Sequence, residues 1–144
     1  MTVYQKTQEF FAAHFNETAY PKFAEATKWP GDFDTDSLVS LLLDIHGHNF
    51  RATVRVDGEI TKDSYSSYLI SDEAITQTVN EWQGINLSVH PDFMGSDKRA
   101  TTENMAEVLA RKIGRQLLVS AKVTVTIHES QDILAEYSAN FTVA

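Results

Sequence analysis

The sequence of 144 residues contains no cysteine. This absence excludes disulfide bonds, thiolate metal ligands and thiol nucleophiles from every interpretation of its chemistry. Any metal ion that the protein binds must therefore be held by histidine, aspartate or glutamate. With 42% hydrophobic residues, the chain is long enough to bury a core of its own, and we expect a single domain over residues 1–144.

Long apolar runs and an excess of positive charge are missing as well. No segment approaches the roughly 20 apolar residues that span a bilayer, and residues 1–11 lack a basic region followed by an apolar run. We therefore expect a cytoplasmic location and no membrane partner. The formal net charge of −8 argues against nucleic acid as a partner, because a nucleic-acid-binding surface needs net positive charge.

Two histidines stand at the start of a predicted strand, in the run His46-Gly47-His48. From Phe50 to Asp57 apolar and polar residues alternate, which is typical of a strand with one buried face. His46 and His48 share the parity of the apolar residues, so both imidazoles are predicted to face the buried side, about 6–7 Å apart. Such a pair can converge on one metal ion. Two buried histidines that hydrogen-bond to backbone carbonyls would give the same pattern.

A third histidine, His14, lies near the end of another predicted strand, Val3–Phe15. It shares the parity of the apolar residues Phe10 and Ala12, so it is predicted to lie on the buried face. His14 is therefore a candidate partner for the histidine pair in a metal site. A histidine packed in the core would occupy the same kind of position.

Two helices are predicted after the second strand. Ser71 has the chemistry of a capping residue for the first helix, and Gly84 is a stop signal. The second helix is predicted to begin at Thr101 or Thr102 and to run to about Leu118, because apolar residues recur there at helical spacing.

Alternating apolar and polar residues predict two last strands, over 119–127 and 133–143. Pairs of strands at both ends of the chain thus enclose two helices. The expected fold class is α+β, with a four-stranded antiparallel sheet in the order ββααββ and both helices on one face.

Glu129 continues the apolar parity of the strand over 119–127, so its carboxylate is predicted to point towards the buried side. Burying a carboxylate is costly unless it meets hydrogen-bond donors or a positive charge. Glu129 is therefore a candidate anchor for a ligand. Simple exposure at the strand end is the alternative.

Four short motifs follow one another along nearly the whole chain: Phe11-Ala12-Ala13-His14, His46-Gly47-His48-Asn49-Phe50, Thr101-Thr102-Glu103-Asn104, and His128-Glu129-Ser130 with Tyr137 beyond it. In this order they resemble the motifs of the 6-pyruvoyl-tetrahydropterin synthase and 6-carboxytetrahydropterin synthase family. The resemblance implies the tunnelling fold, in which the sheets of neighbouring subunits join into a barrel. It also implies a homohexamer, a dimer of trimers, with active sites between subunits.

The resemblance further implies a zinc ion with His14, His46 and His48 as its ligands. Three histidines leave a fourth position open for water or substrate, as in catalytic zinc sites. In the family the zinc ion acts as a Lewis acid on the side-chain hydroxyls of 7,8-dihydroneopterin triphosphate.

Four further residues match the family's substrate pocket. The glutamate that corresponds to Glu129 anchors the pterin ring, because a carboxylate can accept two parallel N–H bonds from the ring edge. Thr101, Thr102 and Glu103 match the motif that lines the same pocket. A helix cap would use the same residue types.

The chain departs from the family in its proton-transfer groups. Family members carry a cysteine shortly before the His-Gly-His motif and an Asp-His dyad after the first helix. This chain has no cysteine, and residues 85–90 contain no Asp-His pair. Asp44 and His90 are the candidate replacement bases, with ordinary loop residues as the alternative.

The arginine that often follows the first zinc histidine is replaced by Phe15. Lys98 and Arg99 form the nearest basic pair, and they are either phosphate-binding or exposed.

The expected function is a zinc-dependent lyase-like enzyme that acts on a dihydropterin. The alternatives are a catalytically silent protein that binds pterin and zinc, or an enzyme for another pterin-like or purine-like heterocycle.

Overall fold

The structure, a computed structural model, describes residues 2–14, 46–59, 69–94 and 99–143. These residues form an α+β fold of two α-helices, one short 3-10 helix and one sheet. None of the described helices is long and apolar enough to cross a membrane. The elements in chain order are β1 (Thr2–His14), β2 (His46–Gly58), α1 (Asp72–Asn80), β3 (Ile85–Asn86), the 3-10 helix (Leu87–Val89), α2 (Thr102–Gly114), β4 (Ala121–His128) and β5 (Leu134–Phe141).

The sheet has five strands in the order β3-β1-β2-β4-β5, so the prediction of four antiparallel strands is wrong in number and in type. The four long strands are antiparallel, but β3 pairs with Ala12 and Ala13 of β1 in parallel. Only two residues make β3, which is too short for any alternation to show in the sequence. Its place depends on contacts made by the preceding turn. Gly84 donates its N–H to the carbonyl of Phe11 at 2.6 Å, and the amide of Phe11 donates to the side chain of Gln83 at 3.1 Å.

The core lies between one face of this sheet and the two helices. Helix α1 contacts β1, and α2 contacts both β4 and β5. The apolar parities that the sequence indicates point into this layer along β1, β2 and β4, whereas Ile133 and Val143, at the two ends of the last predicted strand, are exposed. The fully buried residues that the long strands contribute to this layer are Ala12, Phe50, Ala52, Val54, Val56, Val123, Val125 and Ile127. The opposite face carries polar cross-strand pairs, such as the hydroxyls of Thr7 and Thr53 at 3.1 Å.

Both helices begin at the predicted capping residues. The hydroxyl of Ser71 accepts the amide of Ala74 at 3.1 Å, and that of Thr101 accepts the amide of Asn104 at 3.2 Å. Each cap satisfies a backbone donor that the first helical turn leaves unpaired.

Helix α2 ends at Gly114, earlier than the predicted end near Leu118. The reason is a contact distant in sequence: the amide of Leu118 donates to the carbonyl of Leu69 at 2.8 Å. The chain has therefore left the helix before that residue, although the apolar spacing continues.

A network of charged and polar groups joins the turn after α1 to helix α2. Asp92 accepts hydrogen bonds from the indole N–H of Trp82 at 2.9 Å and from the ammonium of Lys112 at 2.7 Å. Lys112 also pairs with Glu81. Burial acts to raise the pKa of Asp92, but the hydrogen bonds from Lys112 and Trp82 outweigh it, and the net pKa lies below the usual value.

This network predicts a pH dependence of stability. Because the folded-state pKa of Asp92 is lowered, the native state binds fewer protons there than the unfolded chain does. The stabilisation is present above the unfolded pKa of about 3.9 and is lost as the pH falls through the folded value. We expect urea unfolding to show less loss of stability in acid for Asp92→Asn than for the parent. The exposed Asp132→Asn is the matched control and should follow the parent. Equal acid slopes in all three proteins would contradict the prediction.

Candidate metal centre

The first two strands bring three histidines together. In the antiparallel β1–β2 ladder His14 lies directly opposite His46, and Ala12 lies opposite His48. All three histidines have the parity of the buried residues on their strands, so they lie on the core side of the sheet. The ring centroids of His14 are 4.4 Å from His46 and 5.3 Å from His48, and the last two rings are 5.0 Å apart. The imidazoles thus form a compact triangle at the end of the core.

Glu129 completes this cluster from a different part of the chain. The β2–β4 ladder pairs Arg51 with His128, so the next residue emerges beside the histidines. Its Oε1 atom lies 2.8 Å from Nε2 of His48 and 3.7 Å from Nε2 of His14. One ligand atom from each of the four side chains lies within 4.8 Å of all the others.

The orientation of His14 is set by the backbone of the segment before α2. His14 is 8% exposed, and its Nδ1 lies 2.7 Å from the carbonyl oxygen of Ala100. A carbonyl only accepts, so Nδ1 carries the proton and the lone pair is on Nε2. Burial lowers the pKa of His14, and the neighbouring His46 and His48 add to this, while Ala100 and Glu129 oppose it. The result favours a neutral imidazole, the form that binds metal ions.

The donor set fits a divalent metal ion such as zinc. Within the described part of the chain, Nε2 of His14 and Nε2 of His48 are buried without a hydrogen-bond partner. The close approach of Glu129 to His48 does not change this, because the two groups are not aligned as donor and acceptor. Buried polar atoms of this kind are destabilising unless something binds them. A tetrahedral zinc site with bonds of about 2.0–2.2 Å separates its ligand atoms by roughly 3.4 Å, and the contacts of 2.8 and 3.7 Å fall on either side of that value.

The aromatic ring of Phe50 packs against two histidines of the cluster. The ring of Phe50 stacks on Phe10 with centroids 5.3 Å apart. Its centroid lies 6.0 Å from that of His14 and 5.4 Å from that of His48, with the rings edge to face. Phe50 is fully buried, so these contacts restrict the rotamers of both histidines.

The sequence that builds this histidine cluster matches a known protein family. The sequence matches the family model for 6-pyruvoyl tetrahydropterin synthase over residues 3–140. The chain belongs to the 6-pyruvoyl tetrahydropterin synthase family. No curated protein matches the sequence significantly.

Solved structures of 6-pyruvoyl tetrahydropterin synthases share the fold. The Caenorhabditis elegans protein is 19% identical to this chain with a TM-score of 0.64, and the match covers 96% of this chain and 95% of that one. The Plasmodium vivax protein is 15% identical with a TM-score of 0.53, over 98% of this chain and 100% of that one. A catalytic-residue mutant of the Plasmodium vivax protein, with a glutamate changed to alanine, is 16% identical with a TM-score of 0.50 and the same coverage.

In this member of the 6-pyruvoyl tetrahydropterin synthase family, the threonine motif lies at the start of α2. Thr102 is 5% exposed, and its hydroxyl donates to Oε2 of Glu129 at 3.1 Å. Thr101 caps the helix, so the capping interpretation of that residue is confirmed. Glu103 is exposed in the first turn. Only Thr102 of this motif therefore has a described contact with the cluster.

Of the two candidate bases, His90 lies within the described residues and Asp44 does not. Asp44 lies outside the described residues, as do Phe15 and Lys98. His90 is described, and its Nδ1 accepts the amide of Asp92 at 3.1 Å and lies 3.4 Å from the Asp92 carboxylate. This family member therefore has a contact between a histidine and an aspartate, although residues 85–90 contain no Asp-His pair, because the aspartate lies two positions after His90.

Proposed function

We propose that the protein is a metal-dependent enzyme of pterin chemistry. It would be a carbon-oxygen or carbon-carbon lyase of the 6-pyruvoyl- or 6-carboxytetrahydropterin synthase type, acting on 7,8-dihydroneopterin triphosphate or a related pterin. The observation that carries the proposal is the convergence of His14, His46, His48 and Glu129 within 4.8 Å in a chain that belongs to this family.

In this proposal His14, His46 and His48 hold a zinc ion. When bound, it supplies Lewis-acid polarisation of the substrate's side-chain oxygens, which makes neighbouring carbon-bound protons more acidic. The chain's own part is to fix the ligands. Ala100 orients His14 through its carbonyl oxygen, an outer contact of the kind that sets imidazole orientation in metal sites.

The pterin ring would lie against Glu129 and the start of α2. A carboxylate accepts two parallel N–H bonds from an aminopyrimidine edge, and these are stronger than neutral hydrogen bonds. Thr102 orients this carboxylate through its hydroxyl. Thr101 and Glu103 are proposed as further pocket residues, since they adjoin Thr102 at the same helix start.

Asp44 and His90 are the proposed proton-transfer groups. In the Plasmodium vivax protein a glutamate is described as a catalytic residue, so a carboxylate can take part in catalysis on this fold, and Asp44 is the carboxylate that we propose for such a role here. His90 accepts the amide of Asp92 at Nδ1, so its neutral form carries the proton on Nε2. An imidazole that is protonated at Nε2 can donate that proton, and this is the role that we propose for His90.

A specific observation favours a second candidate function, a catalytically silent protein that binds pterin and metal. The chain has no cysteine, and general acid–base groups typically contribute about 100- to 10,000-fold in rate. Without effective replacements, the metal ligands and Glu129 would serve binding alone. A third use of the same carboxylate is recognition of another pterin-like or purine-like heterocycle.

We propose further that the protein forms a homohexamer in the cytoplasm, as a dimer of trimers. The open sheet supports association, because β3 and β5 are its edge strands among the described residues and edges attract partner strands. Next to the β5 edge, Ile133 and Leu134 are 55% and 52% exposed. Sedimentation of the purified protein tests the assembly.

The test of the function is an incubation with 7,8-dihydroneopterin triphosphate, followed by mass spectrometry of the products. We expect product from the zinc-loaded protein and none after chelation. Asp44→Asn or His90→Ala should lower the rate at least about 100-fold while zinc content stays unchanged. Intact substrate with full zinc occupancy would contradict the enzyme and favour the silent binding protein. Thermal shifts with pterins and purines then separate the ligand classes, because a bound ligand raises the melting temperature.

A further inference from the structure

We propose that Glu129 is a fourth, displaceable ligand of the metal ion, so that the chain's own carboxylate closes the metal site when no substrate is bound. This proposal rests on the proposed function in one respect, that the three histidines hold a metal ion. It gives Glu129 a second role besides anchoring the pterin ring.

The first support is the position of one carboxylate oxygen. Oε1 of Glu129 lies 2.8 Å from Nε2 of His48 and 3.7 Å from Nε2 of His14. Neighbouring ligand atoms on a tetrahedral zinc ion lie roughly 3.4 Å apart. Oε1 therefore occupies the position of a fourth ligand atom relative to these two nitrogens, and a carboxylate oxygen is an accepted zinc ligand beside imidazoles.

The second support is that the other oxygen already has a partner. Oε2 accepts the hydroxyl of Thr102, which is buried at the first residue of α2. The hydroxyl restrains rotation of the carboxylate, so Oε1 stays directed at the histidines. Glu129 would then bind the ion through one oxygen and the helix through the other.

The third support is the lack of any better partner for the nitrogens. In the ranges that the structure describes, Nε2 of His14 and Nε2 of His48 have no hydrogen-bond partner, although each atom is buried. The nearest charged oxygen is Oε1 of Glu129, but it is not aligned for a hydrogen bond with Nε2 of His48. A cation between these groups would bind the lone pairs of Oε1 and of Nε2 of His14, and that of Nε2 of His48 in the tautomer with the proton on Nδ1.

In this proposal Glu129 does not ligate the metal ion and anchor the pterin ring at the same time. Anchoring a pterin edge uses both carboxylate oxygens, whereas ligating the ion uses Oε1. A substrate that engages both oxygens of Glu129 would release Oε1 from the ion and leave that ligand position free for an oxygen of the substrate. The side chain of Glu129 is 20% exposed, which leaves a side from which a ligand can reach it. Only substrate that engages Glu129 would then open the metal site.

The test measures metal affinity without any substrate. Zinc is titrated in competition with a chromophoric chelator for the parent, Glu129→Gln and Glu136→Gln. We expect Glu129→Gln to weaken zinc binding about 10- to 100-fold, comparable with the loss of a closely coupled group at a zinc site. Glu136 is exposed on β5, so the same change there should leave the affinity unaltered. Circular dichroism checks that each variant is folded.

Two further measurements keep the proposal falsifiable if Glu129→Gln folds poorly. Thr102→Val removes the hydroxyl that restrains Glu129 and should weaken zinc binding by a smaller factor. In the cobalt-loaded parent, 7,8-dihydroneopterin should change the visible absorption spectrum, because it displaces one ligand. Equal zinc affinities for the parent and every folded variant at Glu129 or Thr102, or a cobalt spectrum of the parent that 7,8-dihydroneopterin leaves unchanged, would overturn the proposal and leave the three-histidine site standing. No zinc bound to the parent would instead overturn the metal site of the proposed function, and the present proposal with it.

Discussion

Replacement of His14 by alanine is expected to weaken zinc binding more than about 100-fold and to abolish turnover. Losing a group that merely supports a zinc ligand costs about 10- to 100-fold in affinity, and we expect the loss of one of the three histidines, which substrate does not displace, to cost more. His14 is the most buried of the three histidines and the one whose tautomer is set by Ala100. Its removal also leaves the carbonyl of Ala100 without this donor. Zinc per chain after dialysis, measured by atomic absorption, gives the result directly.

A matched control for this experiment is His128→Ala. His128 neighbours Glu129 in sequence, but it alternates with the buried Ile127, so it lies on the face of the sheet away from the histidine cluster. It should keep the parent's zinc content and turnover. If His14→Ala retained zinc as well as His128→Ala does, the assignment of His14 as a metal ligand would be wrong.

Replacement of Trp82 by alanine is expected to lower the free energy of unfolding by about 3–5 kcal/mol. Trp82 is fully buried, with its ring centroid 6.0 Å from Phe10 and 5.4 Å from Phe93. The substitution leaves a cavity and also removes the indole donor to Asp92. Domains of this size have a total stability of about 5–15 kcal/mol, so the melting temperature should fall by about 10 °C or more.

Urea unfolding followed by circular dichroism measures this loss. Leu118→Ala is the control, because that side chain is large and apolar but 59% exposed, and it should change stability by about 0.5 kcal/mol or less. Trp82→Phe should lie between the two, since it keeps an aromatic ring in the core but not the donor to Asp92. A Trp82→Ala protein as stable as Leu118→Ala would show that the core does not depend on this ring.

The alternation of apolar and polar residues along the strands is the sequence feature that best predicts which side chains reach the site. Side chains alternate strictly across a sheet, so the sequence placed His14, His46, His48 and Glu129 on the core side, and the structure agrees. The family resemblance is confirmed by the match over residues 3–140. The roles of these residues as metal and pterin ligands stay predictions.

What the sequence did not reveal depends on contacts between distant segments. Strand β3 has two residues and owes its pairing to the turn at Gly84. The contacts of Glu129 with Thr102 and His48 likewise join distant segments, and its role as an anchor for the pterin ring stays a prediction. The contact between His90 and Asp92 crosses a proline and needs the partners Trp82 and Lys112 to place the aspartate. No periodicity within one segment reports such contacts.

The pairing of His14 with His46 also bears on how such a protein can change during evolution. The chain leaves β1 and enters β2 at directly opposed residues, and residues 15–45 connect these two points. The entropic cost of closing a loop rises by only about 0.6 kcal/mol for each doubling of the loop's length. Insertions and deletions there leave the register of the ladder intact, and with it the spacing of the histidines. The arrangement of the histidines can therefore persist while the length of this connection changes.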